Sequence, residues 1–222
     1  MERRYLRSLG PLTEEELELL RGRKVLIAGC GGLGGYLAEY LLRLGVGHIV
    51  MADGDRFEAS NLNRQLLCTG ESLGRPKTEL AAERAALVNP DVAFTAAARR
   101  LDAESLPALL RGCDAALDAL DNVRSRRLLK EACDRQGIPC VFGAVAGWIA
   151  QAAVSLPGDG LLEQLYPPEY TEEREGVLPF TPALGAALQA ALCVRLLCSR
   201  PVECGRLYCF DLSDMSFAEL LL

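Results

Sequence analysis

Four apolar residues, Val25, Leu26, Ile27 and Ala28, run directly into Gly29, Gly31, Gly32, Gly34 and Gly35, and Leu33, Leu37, Leu41 and Leu44 follow at helical spacing. This is the pattern of a strand, a tight turn and a helix. Glycine lets the backbone turn sharply and approach a phosphate closely, and the first turn of the helix offers unpaired N–H groups to negative charge. The turn predicts a nucleotide site at the front of an α/β domain. Which nucleotide it takes stays open, because Gly-x-Gly-x-x-Gly also serves dinucleotide enzymes.

The rest of the chain is read around that turn. Thr13 and Glu16 have the spacing of a capping box, with Leu17, Leu19 and Leu20 behind them, so a short helix is expected before the first strand. Residues 48–52 read as a second strand ending at Asp53, the position from which an acid holds ribose hydroxyls in a βαβ nucleotide site. A polar stretch with Asp55, Asn61, Arg64 and Gln65 follows. Pro76 and Lys77 open another helix in their first turn, running to Val88, and a lysine there opposes the helix dipole, which points to a phosphate nearby. Residues 92–97 read as a strand, 103–110 as a short helix and 115–120 as a strand of small residues leading to Asp121 and Asn122. A helix over 123–133 carries Arg124, Arg126 and Arg127. Asp118 and Asp121 therefore stand at a carboxyl edge of the sheet, where open α/β folds bind ligands, and Asn122 is placed to cap the helix.

Residues 140–144 and 149–156 read as further strands, 157–180 as a long loop, 182–197 as a core helix with Leu184, Leu188, Leu192 and Leu196 in line, 205–211 as a strand and 216–222 as a docking tail. The alternation predicts an α/β fold with a doubly wound, mainly parallel Rossmann-like sheet and a mixed C-terminal part. A single domain over residues 1–222 is expected, with an arm and helix in 1–23, a nucleotide-binding core in 24–156, a crossover loop in 157–180 and a closing helix and strand in 181–222.

Composition narrows the function classes. A formal net charge of -6 argues against general affinity for nucleic acid or an anionic membrane. Nine cysteines without any Cys-x-x-Cys read as reduced thiols, most of them small buried hydrophobes. With no apolar leader and no uninterrupted apolar run of ~18 residues, a soluble cytoplasmic protein is expected. The one histidine, His48, lies at a strand entrance, away from the ligand edge, which speaks against a His-based triad or zinc centre.

The glycine turn, Asp53-Gly54-Asp55, Ser60-Asn61-Leu62-Asn63-Arg64-Gln65, Gly74-x-x-Lys77 and Asp121-Asn122-x-x-Ser125-Arg126 occur together and in order. Together they resemble the ThiF/MoeB/HesA family, bacterial relatives of the ubiquitin-activating E1 adenylation domain. The resemblance is close over residues 4–126 and implies an adenylyltransferase. ATP and magnesium would be used to adenylate the C-terminal carboxylate of a ubiquitin-like sulfur carrier of ThiS or MoaD type that ends in Gly-Gly, in thiamin or molybdopterin biosynthesis. Gly29, Gly31, Gly32 and Gly34 would form the nucleotide turn and Asp53 would bind ribose, with Asp55, Gln65 and Asn122 also at the nucleotide. Asn61, Arg64 and Lys77 would hold phosphates, and Asp121 would act at the α-phosphate through magnesium. Arg4-Tyr5-Leu6-Arg7 is similar to the family's N-terminal Arg-Tyr-x-Arg, implying that Arg7 enters a partner subunit's site in a homodimer.

Two departures from the family's pattern matter. Gly158-Asp159-Gly160-Leu161-Leu162 stands where zinc-bearing members have their first Cys-x-x-Cys, so no zinc site is expected. Residues 171–178 lack the crossover cysteine, so adenylation without a covalent cysteine step is expected. The residue types suit the chemistry by themselves, since a carboxylate nucleophile is already ionised near neutral pH and needs charge neutralised more than a base. Three alternatives stay open: adenylation of a non-protein group such as a modified tRNA adenosine, nicotinamide-dependent oxidoreduction, and a non-catalytic binding module, against which the intact Arg64, Lys77 and Asp121 speak.

Overall fold

A computed structural model describes residues 3–171 and 176–222. Part of the crossover stretch without cysteine, residues 172–175, thus lies outside the described residues. Helix α1 (Glu14–Arg21) opens on the expected reciprocal cap: Glu16 N donates to the Thr13 hydroxyl at 3.2 Å and Thr13 N to the Glu16 carboxylate at 2.9 Å. Strand β1 (Lys24–Ala28), helix α2 (Gly32–Leu44) and strand β2 (His48–Ala52) follow as read. Then come α3 (Lys77–Val88), β3 (Ala93–Ala97), α4 (Leu106–Leu110), β4 (Ala115–Asp118) and α5 (Val123–Gln136). The chain closes with β5 (Cys140–Ala146), β6 (Ile149–Ser155), α6 (Leu161–Leu165), α7 (Phe180–Leu197), β7 (Arg206–Asp211) and β8 (Ser216–Leu221).

The eight strands form one sheet in the order β3-β2-β1-β4-β5-β6-β7-β8, parallel from β3 to β5 and antiparallel from there on. Parallel strands covered on both faces read as unbroken apolar runs, and alternate side chains go to opposite cores. Val25, Ile27, Ile49 and Met51 pack with α2, α3 and α7, whereas Leu26, Ala28 and Val50 pack with α4 and α5. Strand order reverses between β1 and β4, so a crevice opens at their carboxyl ends.

Several local expectations are corrected. Pro76 precedes α3 rather than lying inside it, and Lys77 is the first helical residue. Strand β4 stops at Asp118, whose carboxylate accepts from Leu120 N at 3.0 Å and turns the chain. A short helix, α6, interrupts the loop over 157–180. The leucine line of α7 is mostly half-buried; the face pressed on the sheet is instead Gly185, Ala186, Gln189, Ala190 and Cys193, whose mostly small side chains let the helix lie close to β5 and β6. Residues 216–221 do not dock: they pair with β7 and leave β8 exposed as an edge strand.

Candidate active site

A cavity of about 660 Å³ opens at the carboxyl ends of β1, β2 and β4. Its floor is the glycine turn. Gly29 has φ +102°, and a Cβ there would stand 2.5 Å from the Ala119 carbonyl oxygen, so this position takes glycine alone. Gly31 is the N-cap of α2 and supplies no side-chain cap, leaving the first-turn N–H groups open to a ligand. Gly32 lies against Pro182 and the stem of Arg64. Gly34 has a different job from the one implied for it. It does not line the cavity, and a Cβ on it would meet the Gly29 carbonyl oxygen at 2.0 Å, so it serves the packing of α2 on the turn.

Asp53, at the end of β2, braces this turn. One carboxylate oxygen accepts from Cys30 N at 2.7 Å and the other from Asp55 N at 2.8 Å, while the residue still faces the cavity. Lys77 is 7% exposed, with Nζ 3.6 Å from Asp55 and 4.0 Å from Asp53. These two carboxylates offset a cation that a helix N-terminus disfavours, a compensation the sequence did not reveal. The Arg64 guanidinium donates to the Ser60 carbonyl at 3.0 Å and to Asn63 Oδ1 at 2.9 Å, and its stem lines the wall. Gln65 is 7% exposed in the same wall, and its buried Oε1 has no partner. Asn61 is not in the wall: its Oδ1 accepts from Glu58 N at 3.0 Å and closes the turn that presents Arg64 and Gln65. Arg7 is also outside it, exposed in a segment whose Tyr5 packs at Gly45, the far end of α2.

On the opposite wall Asn122 caps α5, its Oδ1 accepting from Ser125 N at 2.9 Å, and its Nδ2 donates to exposed Asp121 at 3.1 Å. Beneath them lies a group that the sequence reading placed but did not assign. Arg126 is 7% exposed and donates to Asp118 Oδ2 at 2.8 Å, the Gly143 carbonyl at 2.8 Å and the Leu120 carbonyl at 2.6 Å. It thereby fixes the turn from which Asp121 projects. Burial pushes the Asp118 carboxyl up, against the pull of Arg126 and the Leu120 N–H. The signal available was an arginine facing inward eight residues after a strand-end aspartate. Arg99, Arg100 and Leu101, after β3, also line the cavity and were missed; Gly54 lets them approach, since a Cβ on it would be 2.8 Å from Arg100 N.

Cys30 sits behind the turn, and burial pushes its thiol well up, which makes it a packing group and not a nucleophile. Among the described residues, no three His, Cys, Asp or Glu side chains come together in a way that could hold a metal ion by themselves.

A doubly wound sheet with an uncapped glycine turn at its switch point, and cations beside it, defines a nucleotide-binding α/β protein. The chain belongs to the ThiF family, whose model matches residues 4–222. It is 35% identical over 206 residues to the SAMP-activating enzyme E1 of Haloferax volcanii, covering 89% of this chain and 76% of that one. Against the sulfur carrier protein ThiS adenylyltransferase of Escherichia coli the identity is 34%, over 90% of this chain and 82% of the relative. Against the molybdopterin-synthase adenylyltransferase of the same organism it is 33%, over 92% and 85%. Its relatives are thus adenylyltransferases. The crystal structure of E. coli MccB with MccA-N7isoASN superposes with a TM-score of 0.87 at 20% identity, covering all of this chain and 72% of that one. MccB with ATP gives 0.81 over the same shares. These last two likenesses bear on the fold.

Proposed function

We propose that this protein uses ATP to adenylate the C-terminal carboxylate of a small ubiquitin-like sulfur carrier protein, releasing pyrophosphate. The observation that carries this reading is one cavity whose walls combine the uncapped glycine turn, Arg64, Lys77, the unpartnered Gln65 Oε1 and Asp121. The names of the relatives support the class of substrate.

In the reaction a carboxylate oxygen attacks the α-phosphorus, and the bond to the bridging oxygen breaks with its electron pair leaving on pyrophosphate. The nucleophile is ionised at neutral pH, so the site needs alignment and positive charge, which Arg64 and Lys77 supply. Asp53 and Asp55 suit ribose hydroxyls. Magnesium is commonly held by one or two carboxylates together with phosphate oxygens and water, and Asp121 at the cavity wall fits that donor set. When bound there, the ion neutralises phosphate charge. Arg7 is assigned to the cavity of a second copy, which makes the active protein a homodimer.

ATP–pyrophosphate exchange tests the reading. Exchange is expected only when the Gly-Gly-ending carrier encoded in the same genome is added, and Asp121→Ala is expected to lower it by about 10²–10³ with the fold retained. Exchange that proceeds without a carrier, or fails with every such carrier, overturns the proposal.

A further inference from the structure

The cavity does not end at the phosphate-binding groups. Beyond Gly32 and Arg64 its wall continues through Pro182, Val177, Ala146 and Val145, none of them charged among the described residues. Just outside this end are two large aromatic side chains turned to solvent. Trp148, the only tryptophan of the chain, is 47% exposed, and Phe180 is 44% exposed. Their ring centroids are 5.3 Å apart at an interplanar angle of 47°.

The backbone beneath the pair is held on several sides. Gly147 N donates to the Gly176 carbonyl at 2.8 Å, and the Thr181 hydroxyl donates to the Gly147 carbonyl at 2.9 Å. Leu212 N donates to the Trp148 carbonyl at 3.1 Å, and Asn63 Nδ2 to the Val177 carbonyl at 3.0 Å. Rings that pack on each other over a backbone held in this way give contact area at lower conformational cost than rings on a free loop. Among the described residues this end offers phosphate no cation, whereas its apolar wall suits an extended polypeptide that leaves the reactive carboxylate on this side.

Resting on the function proposed above, we infer that Trp148 and Phe180 form an apolar clamp for the segment of the carrier just before its terminal glycines. The clamp sets which carrier is accepted, because it favours an apolar side chain in that segment and disfavours a charged one. It touches neither the nucleotide nor the reacting atoms, so it acts on the carrier's KM and leaves the chemical step alone.

The single tryptophan gives a readout independent of turnover. With the carrier that supports exchange as the probe, Trp148 emission is expected to shift to shorter wavelength on carrier addition and to stay unchanged with ATP alone. Trp148→Ala is expected to raise the KM for that carrier about tenfold, with kcat, the KM for ATP and the melting temperature unchanged, and Trp148→Phe to recover most of the loss. A carrier carrying Asp in place of an apolar residue in that segment should show the same weakening against the wild-type protein and little further loss against Trp148→Ala. An unchanged KM in Trp148→Ala overturns the inference while leaving the adenylation reading intact. An emission shift caused by ATP alone, or by self-association in sedimentation, overturns it as well, assigning the rings to the nucleotide or to a second copy. Absence of carrier-dependent exchange in the wild-type protein strikes the underlying reading instead.

Discussion

Arg126 shows how much one buried side chain can carry. Its guanidinium joins the end of β4, the turn after it and β5, and lies 5.0 Å from the Phe142 ring centroid and 6.0 Å from that of Tyr166. Deleting it leaves Asp118, 3% exposed, as an uncompensated carboxylate. Arg126→Ala is expected to cost about 3–5 kcal/mol in urea unfolding at pH 7. That loss should shrink at acid pH, because a protonated Asp118 no longer buries a charge. Arg126→Lys should recover only part of it, since a single ammonium cannot span three acceptors as the planar fork does. Lys77 is the complementary case. Its neighbours Asp53 and Asp55 hold it in place beside the glycine turn, so Lys77→Ala should lower pyrophosphate exchange by about 10²–10³, measured at saturating ATP and carrier.

Between elements, two contacts give separable tests. The Glu16 carboxylate that closes the cap of α1 also accepts from Arg200, beyond the end of α7, at 2.5 and 2.7 Å. Arg200 first, and the Thr13 N–H second, hold this carboxyl down at about 2 from an ordinary 4.5. A lowered folded-state value means the stabilisation is fully present above 4.5 and is lost as pH falls from there toward 2. The urea midpoints of wild type and Glu16→Gln should therefore differ at pH 6 and converge by pH 2. In the other contact α2 sits directly on the turn at Gly34. Gly34→Ala should displace the helix start, lowering stability by about 1–3 kcal/mol or more and weakening ATP binding in calorimetry.

For the molecule as a unit, the position of Arg7 decides the quaternary test. Asn89 Nδ2 donates to the Tyr5 hydroxyl at 2.8 Å and to the Leu42 carbonyl at 2.8 Å, which pins the N-terminal segment at the end of α2 remote from the cavity. A helix of 13 residues separates the two ends by about 20 Å. In the homodimer proposed above, Arg7 would therefore serve the other copy and not its own cavity. Arg7→Ala and Asp121→Ala proteins, each inactive, should regain about a quarter of wild-type exchange when mixed in equal amounts with subunit exchange, because half of the dimers are mixed and each holds one complete site. No recovery would remove Arg7 from the mechanism.

Local chain rules alone determined the strand, glycine turn and helix, the Thr13 cap, the Asn122 cap and the alternation of strands and helices in the parallel half, because each rests on residues within a few positions of one another. Those signals also put Asp53, Arg64, Lys77 and Asp121 at one edge, since every strand of a parallel sheet delivers its carboxyl end to the same side. Tertiary structure alone decided that Lys77 is paired with two aspartates, that Arg126 holds the Asp121 turn together, that Asn61 and Gly34 build the site from behind its walls, and that Arg99, Arg100 and the Trp148–Phe180 pair border the cavity. Each of these depends on partners drawn together from separate elements. Burial and charge compensation arise only when those elements pack.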